Sequence, residues 1–161
     1  MSITALCQEA RARFQHIWAR KWKRSPCQAQ LGGIDKTLPS KKWLKLVKPL
    51  NHKQALLIMQ LCTNHIGLNK HLHCIHHADS LKCTSCMENT NETVHHYLFE
   101  CPSYGHEHLI LQCKFRRQAS NILFLLTNPA ATLPLLKFIH TTKHFKKCFS
   151  HILDDAQTPP T

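Results

Sequence analysis

Cys83-Thr84-Ser85-Cys86-Met87-Glu88-Asn89-Thr90-Asn91-Glu92-Thr93-Val94-His95-His96-Tyr97-Leu98-Phe99-Glu100-Cys101-Pro102 is the stretch on which the fold turns. Its chemistry-bearing residues follow the pattern C-x2-C-x9-H-x4-C: Cys83, Cys86, His96 and Cys101. Zn2+ suits such a set, because it takes thiolate and imidazole in a closed tetrahedral site and a two-residue gap lets one tight turn present both sulfurs. On a regular α-helix a five-residue offset sets His96 and Cys101 about 140° apart. Cys101 is therefore expected where a helix stops, and Pro102 supplies the stop. Four protein ligands leave no open coordination position, so the ion would be structural, contributing on the order of 10 kcal/mol to local folding. Spacing alone does not separate His96 from its neighbour His95. The bland alternative is a set of ordinary buried residues in a Cys-rich chain.

Working outward, the apolar residues are spaced for helices. Ile3, Leu6, Ala10, Phe14, Ile17, Trp18 and Trp22 recur at three- and four-residue steps, one face of an amphipathic helix that Ser25-Pro26 ends. A connector follows through Gly32-Gly33, Pro39 and Ser40, with a short helical segment over Lys41 to Val47 closed by Pro49. Further helices are expected from about Lys53 to Cys62, through Leu68, Leu72 and Ile75, and just before Pro102. The last third predicts one helical pattern from Leu109 to Leu126 and another from Leu136 to Ile152, separated by Asn128-Pro129. Polar and apolar residues nowhere alternate over a strand's length. The expectation is an all-α chain of five to seven helices with one zinc turn. It divides into a basic helix and connector (1–49), a zinc-binding region (50–104), C-terminal helices (105–153) and a disordered tail (154–161).

The chain of 161 residues carries 21 Lys and Arg against 9 Asp and Glu, a formal charge of +12. Residues 1–53 hold 12 of those basic residues and 2 of the acidic ones. Such a balance favours an anionic partner, with RNA or DNA phosphates first and Arg20, Lys21, Lys23, Arg24, Lys41 and Lys42 as the candidate contacts. The alternative is a solvated face that only maintains solubility. No apolar run approaches a membrane span, and the N-terminus lacks a secretory h-region. Nine cysteines, an odd number, fit a reducing compartment with free or metal-bound thiols. An intracellular location, nucleus or cytoplasm, is expected, with no membrane and no small-molecule substrate.

The run Gln60-Leu61-Cys62-Thr63-Asn64-His65-Ile66-Gly67-Leu68-Asn69, then Leu72-His73, the cysteine pair and Glu92-Thr93-Val94-His95-His96-Tyr97-Leu98-Phe99-Glu100-Cys101-Pro102 resembles the zinc-binding region that follows the RNase H domain in fungal non-LTR retrotransposon polyproteins. Residues 50–104 carry the resemblance, more weakly extended to Ile34-Asp35 and Pro39-Ser40 before it and to Leu136–Phe149 after it. The resemblance implies a reverse transcriptase zinc-binding domain in which His96 and not His95 takes the histidine position, beside Cys83, Cys86 and Cys101. It further implies a C-terminal piece of such a polyprotein, without polymerase or RNase H domains and without enzymatic activity. Cys62 and Asn64 stand where that family has Arg and Gly, and Cys74 where it has Arg. With 14 His and 9 Cys against 6 Arg, these departures suggest a decaying copy, a reading that transition counts in the coding DNA would test.

Other residues weigh toward plain roles. His71, His73, His76 and His77 could gather a second ion, but no Glu completes an H-E-x-x-H motif. His106-Glu107-His108 lacks the following Pro-Cys-x-x-Cys of zinc deaminases. Cys7, Cys27, Cys113 and Cys148 are expected as packing groups, and Trp18, Trp22 and Trp43 as core residues before base-stacking ones. The expected function is a non-catalytic, zinc-binding, nucleic-acid-associated module. The rival is a zinc-stabilised protein-interaction module whose partner could be the polymerase portion of an intact element, or a decayed fragment that retains no function.

Overall fold

The computed structural model describes residues 2–32, 42–149 and 152–153. Lys41, the Ile34–Ser40 flank and the 154–161 tail lie outside the described residues. The chain is all-α. Among the described residues there are eight α-helices and no strand, only an isolated antiparallel bridge between Lys82 and Asn91. The helices are α1 Ile3–Lys23, α2 Pro26–Leu31, α3 Lys42–Val47, α4 His52–Thr63, α5 Asn69–Cys74, α6 Gly105–Phe115, α7 Ile122–Thr127 and α8 Pro129–Thr142. They fall into two compact units, residues 1–44 and 45–161.

In the first unit Ser2 caps α1, its hydroxyl accepting from the Ala5 N–H at 3.3 Å. The apolar stripe is helical as its spacing predicts, but it is not a core. No residue of α1 is buried: Trp18 is 59% exposed and Phe14 66%. The core expectation for Trp18 is thereby corrected, while Trp22 and Trp43 are half-buried. The six-residue α2 is too short to cover a 21-residue face.

The second unit holds the core. Asn51 and Gln54 form a reciprocal capping box on α4. Leu57, Ile58 and Leu61 point inward at helical spacing, and Gln54 Nε2 donates to the Ile152 carbonyl at 2.8 Å, tying the far end of the unit to α4. Asn64 ends α4 in the left-handed region at φ 58. Asn tolerates that conformation better than most residues with a side chain, which suits it to end the helix. Cys62, by contrast, is buried among apolar residues, and burial pushes its thiol up to about 12.

The single pattern expected from Leu109 to Leu126 is two helices. Arg116 takes φ 51, ending α6, a 3-10 segment follows, and Asn121 caps α7 by accepting from the N–H groups of Leu123 and Phe124. The phase change lets Ala119 enter the core while Ile110 stays exposed. Asn128-Pro129 separates the two patterns as expected, but it also starts α8, with Asn128 as cap and Pro129 in the first turn, so that helix begins well ahead of Leu136 and stops well short of Ile152. α8 ends at Thr142, and Phe149 and Ile152 reach the core from the turns beyond it. Leu125, Leu126, Leu135, Leu136 and Ile139 complete that core, with α6 and α7 packed on α8.

Candidate metal centre

Two short pieces of irregular backbone bring the ligand atoms together. The first is the loop between Lys82 and Asn91, closed by Cys83 N–H to the Thr90 carbonyl (2.8 Å) and Glu92 N–H to the Leu81 carbonyl (2.9 Å). Within it the backbone N–H groups of Ser85 and Cys86 point at the Cys83 sulfur, the arrangement a tight two-residue gap produces. The second is the helical stretch 94–100. Thr93 Oγ1 accepts from the His96 N–H at 2.9 Å, and the winding then widens to a π-turn over His96–Glu100, closed by Cys101 N–H to the His96 carbonyl at 2.8 Å.

That widening resolves the 140° problem. An i→i+5 turn rotates less per residue than an α-helix, so a five-residue offset returns toward the starting side. Cys101 is also where the helix stops, as expected, with extended ψ 114 imposed by the following Pro102.

The ligand atoms of Cys83, Cys86, His96 and Cys101 all lie within 4.8 Å of one another and could hold a metal ion. Cys83 Sγ is 3.9 Å from Cys101 Sγ, and Cys86 Sγ 3.4 Å from His96 Nε2. Cys83, His96 and Cys101 are buried and Cys86 is half-buried. Burial pushes the Cys83 thiol up to about 12 and raises that of Cys101, although the Ser103 N–H opposes the latter. Three thiols this close have reason to share a pocket with one imidazole when a divalent cation holds them as thiolates. His96 Nδ1 is buried without a hydrogen-bond partner, 3.7 Å from the Glu100 carboxylate, an outer group suited to orient a ligating imidazole. His95 points away: its side chain is 61% exposed and meets Glu100 at 3.0 Å.

Sequence reasoning missed the polar frame behind this site. Glu92, 2% exposed, accepts from the Asn69 N–H through Oε2 at 2.7 Å, standing in for a cap on α5. Asn69 Nδ2 in turn donates to the Lys82 carbonyl at 2.7 Å. Glu92 Oε1 faces His144 Nε2 at 3.6 Å. His144 Nδ1 meets the Tyr104 hydroxyl at 2.7 Å, and that hydroxyl meets Ser85 Oγ at 2.9 Å, inside the Cys83–Cys86 turn. Ser103 also hydrogen-bonds the Ser85 carbonyl. Only the Glu92-Thr93 pair just ahead of a helix hinted at any of this.

Burial lowers the His144 imidazole below its ordinary 6.5, with Glu92 opposing. As pH falls through that value the unfolded chain takes up a proton that the folded chain refuses, so this contribution is complete above it and declines below it. His144→Gln is expected to flatten the loss of stability between about pH 7 and 5.5 by up to about 1 kcal/mol. Denaturant titrations at the two pH values check this, parallel curves for wild type and variant counting against it.

The remaining candidates disperse. Among the described residues no second group of three metal-binding side chains gathers, so the histidines from His71 to His77 make no further site. His108 is a core histidine, its Nε2 3.0 Å from the Tyr97 carbonyl and its ring stacked on Phe138. Cys7, Cys113 and Cys148 are exposed, which corrects their assignment to packing: each lies on a helix or turn face directed at solvent. Arg20, Lys21, Lys23, Arg24 and Lys42 are exposed. Fold and site together define a helical protein with a Cys3His candidate metal centre. The chain matches no family profile, no curated protein and no solved structure.

Proposed function

We propose that the chain is a zinc-stabilised, non-catalytic helical module that binds nucleic-acid backbone, of the kind found after RNase H in retrotransposon reverse transcriptases. The observation that carries the zinc reading is the geometry of the four ligands. A tetrahedron with Zn–S of about 2.3 Å and Zn–N of about 2.0 Å has S···S edges near ~3.8 Å and S···N edges near ~3.5 Å. Two of the six separations, 3.9 and 3.4 Å, match those edges, and all six lie within 4.8 Å. Four protein ligands close the coordination sphere, which suits a structural ion and no catalysis.

The nucleic-acid reading rests on charge. Arg20, Lys21, Lys23 and Arg24 gather at the exposed end of α1 beside Trp18, whose open indole face can stack on a base. Replacing the four by Ala is expected to weaken duplex binding about tenfold or more and to reduce the slope of log K against log salt by about 3 to 4. Fluorescence anisotropy across a salt series checks this, and affinity indifferent to salt refutes backbone binding. A second reading, a protein-interaction module, is favoured by the exposed stripe Ile3, Leu6, Phe14 and Trp18. Its partner would be the polymerase portion of an intact element, and binding to it would survive the four Ala substitutions.

A further inference from the structure

The short helix α6 has two unlike sides. His108 and Leu111 are buried on the side that packs against α8. On the other side Leu109 and Ile110 are each 55% exposed, and His106 and Cys113 are exposed beside them. These outer residues stand at i, i+3, i+4 and i+7, which makes them one stripe along the helix. The core does not need this stripe, since His108 and Leu111 already supply the inner contact. Large apolar side chains contiguous on one solvent face mark a contact surface in a way that scattered ones do not.

Charge indicates what covers it. Residues 105–115 hold one acid, Glu107 in the first turn, and one base, Lys114 in the last, so α6 is formally neutral in a chain of +12. The helix dipole accounts for the sign at each end. It does not account for their alignment. Seven residues turn through about 700°, only about 20° short of two full turns, so both charges stand on one flank, on the Ile110 side of the stripe. Among the described residues neither has an ion-pair partner in its own chain.

We propose that the outer face of α6 is a self-association surface, covered by α6 of a second copy packed antiparallel in a two-fold symmetric dimer. Reversing the helix about a point between Ile110 and Leu111 exchanges position 107 with position 114. Antiparallel helices set like flank against like flank, so each Glu107 meets Lys114 of the other copy, and both ion pairs form at once. Leu109, Ile110 and Cys113 close between the two helices. A parallel pairing sets opposite flanks together and leaves all four charges unanswered. A polyanion has no excess of positive charge to bind here, and a lipid surface calls for a basic polar face, whereas the single lysine of this helix is balanced by its glutamate. A helix of 11 residues is about 16 Å long, so the contact is small and the dimer weak, with dissociation in the micromolar range. The dimer goes beyond the zinc and nucleic-acid readings and does not depend on either.

The test is sedimentation velocity of the full chain from low to high micromolar concentration. Wild type is expected to pass from monomer to dimer. E107K and K114E each set like charges opposite one another and should raise the dissociation constant at least tenfold, with circular dichroism unchanged. An equimolar mixture of those two variants makes every facing pair opposite in sign again, and should return to within about threefold of wild type. Peptide-resolved maleimide labelling should show Cys113 protected as concentration rises, with exposed Cys7 and Cys148 labelled throughout. A wild type that stays monomeric overturns the proposal. So does a dimer indifferent to E107K and K114E, or one that F14D/W18D on the exposed stripe of α1 abolishes in their place. A mixture that fails to recover overturns the antiparallel arrangement and the proposal with it.

Discussion

Replacing Cys83 and Cys86 together by serine is expected to strip the ion from the chain and lower the melting temperature by about 15 °C. An ion held a thousandfold above its dissociation constant stabilises by about 4 kcal/mol, and a unit of this size loses about 4 °C for each kcal/mol. The loss falls short of the on-the-order-of-10 kcal/mol binding free energy of isolated zinc peptides, because that figure refers to ion at 1 M whereas mass action here works only from the ratio of free ion to its dissociation constant. Elemental mass spectrometry and a thermal melt read both effects. A chelator should reproduce the drop in wild type and do nothing further to the double variant. Cys113→Ser, at an exposed position, should shift stability by no more than about 0.5 kcal/mol. His96→Ala should lose the ion and His95→Ala keep it, since only His96 faces the three sulfurs. A wild type that melts at the same temperature with and without chelator would refute a structural ion.

Tyr97→Ala carries the second large effect, a destabilisation of about 4 kcal/mol. Tyr97 is 1% exposed, and its ring lies between 5.2 and 5.4 Å, centroid to centroid, from those of Tyr104, Phe138, His144 and Phe145. It thus joins the π-turn, α8 and the turn at 143–149 in one cluster, and truncation leaves a cavity that three separate segments would have to move to fill. Tyr97→Phe keeps the ring and removes only the 2.7 Å hydrogen bond to Thr142 Oγ1, at a cost of about 1 kcal/mol. Thr142 still donates to the Ile139 carbonyl, so its hydroxyl is not stranded. Urea titrations with chelator present separate this packing term from the ion. A cost below about 1 kcal/mol for the alanine variant would mean the cluster is not the keystone of the core.

The helices and the ligand set were legible because each is written in local spacing. Apolar residues at three- and four-residue steps gave α1 and α4, Asn128-Pro129 marked the break between α7 and α8, and the two-residue cysteine gap marked a turn able to present two sulfurs. The boundary at Arg116 was not legible, since Leu109 to Leu126 keeps an apolar rhythm through a 3-10 segment that shifts its phase. Nor was the π-turn at His96–Glu100: widening by one residue leaves no mark on composition, and it is the spatial fit of His96 and Cys101 that reveals it.

Composition and spacing by themselves determined that the chain is helical, strongly basic, and equipped with Cys83, Cys86, His96 and Cys101 in the order a closed metal site requires. Spacing left His95 and His96 open and tertiary structure placed His96 toward the sulfurs, and it alone decided that the α1 stripe stays exposed and that Glu92, His144, Tyr104 and Ser85 form one polar frame behind the ligands. The physical reason is range. Helical periodicity and a two-residue turn act between neighbours along the chain, whereas burial and the hydrogen bonds that run from Ser85 through Tyr104 to His144 depend on how distant segments pack, and no local pattern encodes that.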